Sequence, residues 1–450
     1  MKKKIFALIL IFLFIFAVPA QAYQINEYEL HHEAGMLISM DTGDVLYSKN
    51  ADERMYPASI TKLMSAVVML ENIDDLENEF ITYTKTANDL ILGTGSAIYN
   101  GDGLKVGEKM RASDALAALL ISSSGDVAYA IAEHVGGTID GFVDMMNEKA
   151  KEMGLANTHY TNPVGLHDDN LYTTARDISV LAKYAFGIDI VKELLSKTQY
   201  KMEATNFHKE LNIYTSNLMI SPNTNVYYRY AVCGKTGYTS KAGRCLVCIG
   251  SYNGYNYMSI VLNAKTPGGK RNEFIDTANM FRWAFNGFEY KTLLEDAEPV
   301  TEVPVALSSE TDHLSLVFDK GLKALLPKEA DASTVEYKIH LNAESFDAPI
   351  EKGEALGSAD IYYAEEKLGT LQLVAARSVK ANPLLVFARS AGNFFASTFM
   401  KVVYVILAGA IVIFAAIIFF MNIGRGKKRK VKYIPLDQRE LDHKDDDFIY

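Results

Sequence analysis

The sequence predicts an α+β chain with a large mixed domain, then a small all-β sandwich domain and one C-terminal transmembrane helix. Three observations predict it. Strand-like and helix-like runs are interleaved from Tyr23 to about residue 290. Residues 298–384 turn to alternating runs with few helix signals. Finally, Val402 to Gly424 is a stretch of 23 residues without a charge. A chain of 450 residues is long enough to fill more than one core.

The N-terminus begins with Lys2, Lys3 and Lys4, runs through the apolar stretch Ile5 to Val18, and closes on Ala20-Gln21-Ala22. A basic region, a short apolar region and an A-x-A site predict a secretory signal peptide over residues 1–22. Near the other end, 402–424 would extend roughly 34 Å as a helix at about 1.5 Å per residue, enough to cross a hydrocarbon core. Arg425, Lys427, Lys428, Arg429, Lys430 and Lys432 follow at once, and such a cluster stays on the cytoplasmic side. The expectation is a single-pass protein of the cell membrane, with its bulk outside and a cytoplasmic tail over 425–450. A net charge of -10 argues against a nucleic-acid partner.

There are only three cysteines, Cys233, Cys245 and Cys248. An odd, low count in an exported chain excludes a disulfide framework. Cys245 and Cys248 sit in the strand-like run "RCLVCIG", where an offset of three points them to opposite faces, against zinc or redox chemistry. Cys233 would lie opposite Cys248 if the chain turns near Ser240 and Lys241; free, buried thiols are expected.

In the first domain, "AGMLISMDTGDVLYSKN" reads as two strands joined at Asp41-Thr42-Gly43. A helix from Ser59 follows, with Ile60, Leu63, Met64, Val67 and Val68 at helical spacing. "ASDALAALLI", "DVAYAIAEHV" and "TTARDISVLAKYAF" predict further helices. "RYAVCGKTGYTS" and "RCLVCIGSYNGYNYMSIVLNA" predict late strands, and "NEFIDTANMFRWAFNGF" a closing helix. In the β module, "VEYKIHL" alternates Val335, Tyr337, Ile339 and Leu341 against Glu336, Lys338 and His340. "DIYYAEEKLGTLQLVAA" predicts a hairpin near Lys367 to Gly369.

Ser59 and Lys62 stand three residues apart, on one face of their helix and at the edge of its apolar stripe. A lysine held there, partly desolvated and near another cation, has its pKa lowered. It can then take the proton of a neighbouring hydroxyl and make it nucleophilic. By itself S-x-x-K is common, and an N-cap serine beside a surface lysine would explain it. Two further patterns in order change the balance: the serine cluster Ser122 to Ser124 before a helix, and Lys235-Thr236-Gly237 on a strand. S-x-x-K, S-D-N and K-T-G form the signature set of class A β-lactamases and penicillin-binding proteins.

On these motifs the chain resembles the low-molecular-mass penicillin-binding proteins that are D-alanyl-D-alanine carboxypeptidases, serine peptidases of the S11 type. "YPASITKLM", "LKVGEKMRASDALAALL", "AIAEHVGGT", "THYTNPVGLHDDNLYTTARDISVLA" and "GKTGYTSKAGRCLV" carry the resemblance. "PIEKGEALGSADIYYAEEKLGTLQLVAA" resembles the family's C-terminal β-domain. The resemblance implies a penicillin-binding/β-lactamase-like catalytic domain over 23–290. It implies removal of the terminal D-alanine from peptidoglycan stem peptides through an acyl-enzyme, β-lactams as covalent inhibitors, and no cofactor or metal. Carried over residue by residue, Ser59 would be the nucleophile, Lys62 its base and Ser123 a proton relay. Lys235 would bind the substrate carboxylate, Thr236 and Gly237 would line the strand against which the peptide lies, and the N–H groups of Ser59 and Tyr238 would form the oxyanion hole. The family's second motif is usually Ser-x-Asn. Here the matching triplet is Ser123-Ser124-Gly125, with Gly125 in the asparagine's place; the register Ser124-Gly125-Asp126 breaks the downstream match.

The other polar clusters read blandly. His31 and His32 would point apart on a strand. Asp74, Asp75, Glu77 and Glu79 lack the glycine and ligand spacing of a calcium loop. Tyr255 and Tyr257 would share a strand face, and Arg176 and Asp177 would anchor a helix N-terminus. The rivals to the carboxypeptidase reading are a β-lactamase, a D,D-endopeptidase, and a catalytically silent peptidoglycan-binding homologue, which Gly125 motivates.

Overall fold

The computed structural model describes residues 23–94, 96 and 104–425. The signal-peptide reading over 1–22 and the tail after Arg425 lie outside them. The described chain divides into two compact units.

The first unit is built on a five-stranded antiparallel sheet. Its strands are β1 (Ala34–Ser39), β2 (Val45–Lys49), β3 (Ala231–Thr239), β4 (Gly243–Tyr252) and β5 (Tyr255–Ala264), in the order β2-β1-β5-β4-β3. The β1–β2 connection falls at Asp41 to Gly43, as the turn signal predicts. Strand alternation sends residues to two cores. Met36, Cys233, Cys245, Val247 and Ile260 face one with α1 (Lys62–Asn72), α2 (Gly125–Gly136) and α3 (Ala175–Phe186); Leu37, Leu246, Cys248 and Val261 face another with α4 (Asn272–Gly287). Cys245 and Cys248 are thus on opposite faces. Cys233 pairs in register with Ile249, not Cys248, and all three thiols are free and buried.

Helix α1 is buried from Lys62 through Met69, as a helix apolar nearly all round must be. Ser59 itself precedes it, in a 3-10 turn over Ala58–Thr61. The tighter turn leaves Ser59 at the helix mouth and Lys62 as the first α-helical residue.

A six-stranded sheet, most of whose residues belong to the second unit, is formed by β6 (Pro299–Ala306), β7 (His313–Phe318), β8 (Val335–Leu341), β9 (Phe346–Asp347), β10 (Ala355–Tyr363) and β11 (Glu366–Ala375), in the order β8-β10-β11-β7-β6-β9. One expectation is corrected. The β10–β11 hairpin turns at Ala364-Glu365, both left-handed at φ 48° and 68°, instead of at Lys367 to Gly369. Two positive φ values make the two-residue turn that matches strand twist, so Lys367 and Gly369 lie within β11. The alternating strand β8 is an edge strand, and its Tyr337, Ile339 and Leu341 stay exposed.

After α5 (Pro383–Ala396), α6 runs from Thr398 to Arg425; its segment Thr398–Asn422 reaches a mean hydropathy of 3.0 with none of that window buried. It begins four residues before the charge-free stretch.

Candidate active site

Ser59 lies in the 3-10 turn Ala58–Thr61 that leads into α1. The preceding Ala58 is left-handed at φ 47°, a conformation that costs a non-glycine residue about 1–2 kcal/mol. Ser59 Oγ and Lys62 Nζ are 2.9 Å apart, and Lys62 Nζ donates to the Val164 carbonyl at 2.9 Å. That carbonyl is fixed by a turn: Asn162 Oδ1 accepts from the N–H groups of Val164, Gly165 and Leu166, and Ser65 Oγ donates to the Pro163 carbonyl at 2.7 Å. Sequence reading quoted this Asn162-Pro163 turn but gave it no role; the Asn-Pro pair was its available signal.

The second motif lies where a π-helical turn, Ala118–Ser122, breaks before α2. Ser123 sits in the break at φ 63°, and its hydroxyl accepts from Lys235 Nζ at 2.7 Å. Single π turns recur at functional sites because they re-aim one residue. Ser122 and Ser124 Oγ are 3.0 Å apart. Gly125 is buried at the start of α2, its N–H donated to the Ser96 carbonyl at 2.7 Å.

The third motif occupies the edge strand β3. Lys235 points inward, Thr236 Oγ1 donates to Ser216 Oγ at 2.7 Å, and Tyr238 is 59% exposed with Arg244 over its ring at 4.7 Å. Gly237 meets the turn that carries Ser59: a Cβ there would stand 2.9 Å from the Pro57 carbonyl oxygen and 3.1 Å from the Ser59 nitrogen. Glycine is what lets the strand come this close. Ser59, Ser123, Thr236, Gly237 and Tyr238 line one cleft of about 1000 Å³, together with Ser216, which sequence reading missed.

Two lysines with no exposed surface dominate the electrostatics. Their hydrogen-bond partners are hydroxyl and carbonyl oxygens, not carboxylates. Burial, reinforced by the charge of Lys235, holds Lys62 well below the usual lysine range, while Asp126 pulls weakly the other way. Burial lowers Lys235 to about 7. An uncharged amine beside a hydroxyl is a base–nucleophile pair.

His31 and His32 depart from expectation. Both precede β1, so strand alternation does not part them, and both ring Nδ1 atoms face the buried Asp276 carboxylate, at 3.3 and 2.9 Å. Their backbone N–H groups also donate to it, at 2.7 and 2.8 Å. Among the described residues no group of three or more His, Cys, Asp or Glu is placed to hold a metal. Asp75 closes a local turn by accepting from the N–H groups of Glu77 and Asn78. Arg176 pairs with Asp52, and Asp177 accepts from Asn157 N–H and the Thr158 hydroxyl.

Residues 20–266 match the family described as D-alanyl-D-alanine carboxypeptidase. Residues 288–381 match the C-terminal domain of penicillin-binding protein 5. The chain is 30% identical over 395 residues to D-alanyl-D-alanine carboxypeptidase DacF of Bacillus subtilis, covering 86% of this chain and 97% of that one. It is 28% identical over 394 residues to DacC of Escherichia coli, covering 85% and 91%. Among solved structures, penicillin-binding protein 5 of Haemophilus influenzae shares the fold with a TM-score of 0.61, over 79% of this chain and 100% of that one, at 23% identity. With a family match across more than half its length and a relative of nearly equal extent, this chain belongs to the D-alanyl-D-alanine carboxypeptidases, serine-type penicillin-binding hydrolases.

Proposed function

We propose that the chain removes the terminal D-alanine from peptidoglycan stem peptides by acylating Ser59. The observation that carries this is the 2.9 Å separation of Ser59 Oγ from Lys62 Nζ, an amine whose burial favours its neutral form. Lys62 takes the hydroxyl proton as Ser59 Oγ attacks the carbonyl between the two D-alanines. The N–H groups of Ser59 and Tyr238 face the oxyanion. Ser123 relays the proton to the departing amine, the C–N bond breaks and D-alanine leaves. Water then attacks the ester, with Lys62 again as base, and restores Ser59. Lys235 holds the terminal carboxylate, and the peptide lies along Thr236 and Gly237 on the free edge of β3. β-Lactams acylate the same serine.

The domain limits belong to the same proposal: a catalytic domain over 23–290 and a β domain over 298–384. So does the topology, in which 402–424 crosses the cell membrane, the catalytic domain is extracytoplasmic after loss of residues 1–22, and 425–450 is cytoplasmic. In support, α6 is long and apolar enough to span, and the basic cluster follows its end. Release of D-alanine from a soluble peptide ending in D-Ala-D-Ala tests the chemistry: wild type releases it and Ser59→Ala does not. Equal release by both contradicts the assignment. Rapid turnover of a penicillin would favour a β-lactamase instead. External protease on intact cells tests the topology, and survival of the catalytic domain would contradict it.

A further inference from the structure

The space of the missing asparagine is filled from another segment. A Cβ on Gly125 would stand 2.7 Å from Ser96 Oγ, 3.0 Å from Ser96 Cβ and 2.7 Å from Ile91 Cδ1. Contacts under about 3 Å force a neighbour to move, so a side chain at 125 would displace Ser96 and the Ile91 terminal methyl. Ser96 is fixed there by its carbonyl, which accepts the Gly125 N–H at 2.7 Å, and by its own N–H, which donates to Thr94 Oγ1 at 3.4 Å. Leu104 N–H donates to Asp126 Oδ2 at 3.3 Å, at the next residue of the same helix start. Ser96 lines the cleft that holds Ser59 and Ser123, and its hydroxyl makes no hydrogen bond among the described residues. A polar group thus stands where a residue-125 side chain would begin, its hydroxyl unpartnered among the described residues.

We propose that Ser96 is a substrate-binding residue that replaces the asparagine of the second motif, its hydroxyl donating to the substrate carbonyl that an amide at position 125 would hold. The proposal rests on the Ser59 reading. Gly125 is then no sign of lost catalysis; it is the vacancy that Ser96 requires. The two positions are coupled: serine at 96 fits glycine at 125, and an asparagine at 125 requires Ser96 and the Ile91 methyl to give way.

The test uses the full-length protein in detergent, a soluble peptide ending in D-Ala-D-Ala, and penicillin. Ser96→Ala should lower kcat/KM about tenfold, the loss of one hydrogen bond to the reacting complex, with an unchanged melting temperature. Gly125→Asn alone should lower both activity and melting temperature. The pair Ser96→Gly with Gly125→Asn should recover both to within about threefold and a few degrees, because Ile91 can rotate its terminal methyl away. Wild-type kcat/KM in Ser96→Ala overturns the proposal, as does Gly125→Asn alone matching the double variant. A wild type that forms no penicillin adduct overturns the Ser59 reading as well, so the two failures are distinguishable.

Discussion

Lys235 Nζ donates to the Ser123 hydroxyl at 2.7 Å, joining the third motif to the second inside the cleft that Ser59 lines. Among the described residues no carboxylate lies at hydrogen-bonding range of that amine; its other acceptor is the Thr236 carbonyl, at 3.3 Å. Its charge is therefore felt by Lys62, whose pKa falls through burial first and Lys235 second.

A pH profile follows. Lys62 accepts a proton only when neutral, so activity should climb as pH rises through its lowered pKa. Lys235 serves as a cation only when protonated, and its pKa is lowered to about 7, so kcat/KM should fall as pH rises through that region. A guanidinium stays charged throughout. Lys235→Arg should therefore push the alkaline limb upward, even if the peak rate drops. An alkaline limb that stays in place would assign it to another group.

If Lys62 is the base proposed above, removing it should be severe. Lys62→Ala should slow acylation by about 10²–10⁴-fold, the range of general-base catalysis. Lys62→Arg should not restore it, because arginine keeps its proton. Penicillin-binding kinetics with either variant check this; recovery by arginine would show that charge, and not proton transfer, is what the site needs.

Gly237 offers a steric test. Any side chain there runs into the Pro57 carbonyl and the Ser59 turn. Gly237→Val should cost about 1–3 kcal/mol of local fit and reduce acylation at least tenfold. Near-normal acylation by the valine variant would mean that β3 does not need to approach Ser59 this closely.

Stability should respond at a site remote from these motifs. Asp276 Oδ2 accepts from two backbone N–H groups and faces the His32 ring, whose far Nε2 is 3.0 Å from the Tyr47 hydroxyl. Asp276→Asn sets an amide among these donors and should lower stability by about 3 kcal/mol. Thermal melts should shift while kcat/KM of the folded fraction holds. A loss of kcat/KM at unchanged melting temperature would instead tie Asp276 to catalysis.

Much of this architecture is visible in local sequence. The i, i+3 spacing places Ser59 and Lys62 on one face, Asp41 to Gly43 marks the first hairpin, and apolar spacing marks α1 as a core helix. The opposite facing of Cys245 and Cys248 follows from a period of two. What local pattern cannot show is which distant atoms meet. Val164, Ser216 and Ser96 enter the site through loop closure and strand register. The β10–β11 turn was displaced because Gly369 carries the stronger local turn signal, while Ala364 and Glu365 adopt left-handed backbone under the pairing of their strands. His31 and His32 lie just outside β1, where the alternation rule ends.

Intact mass after exposure to penicillin addresses the central chemistry most directly. Wild type should gain the mass of one penicillin, the adduct should map to the peptide containing Ser59, and Ser59→Ala should gain nothing. An adduct that persists in Ser59→Ala, or a wild type left at its original mass, would contradict the account.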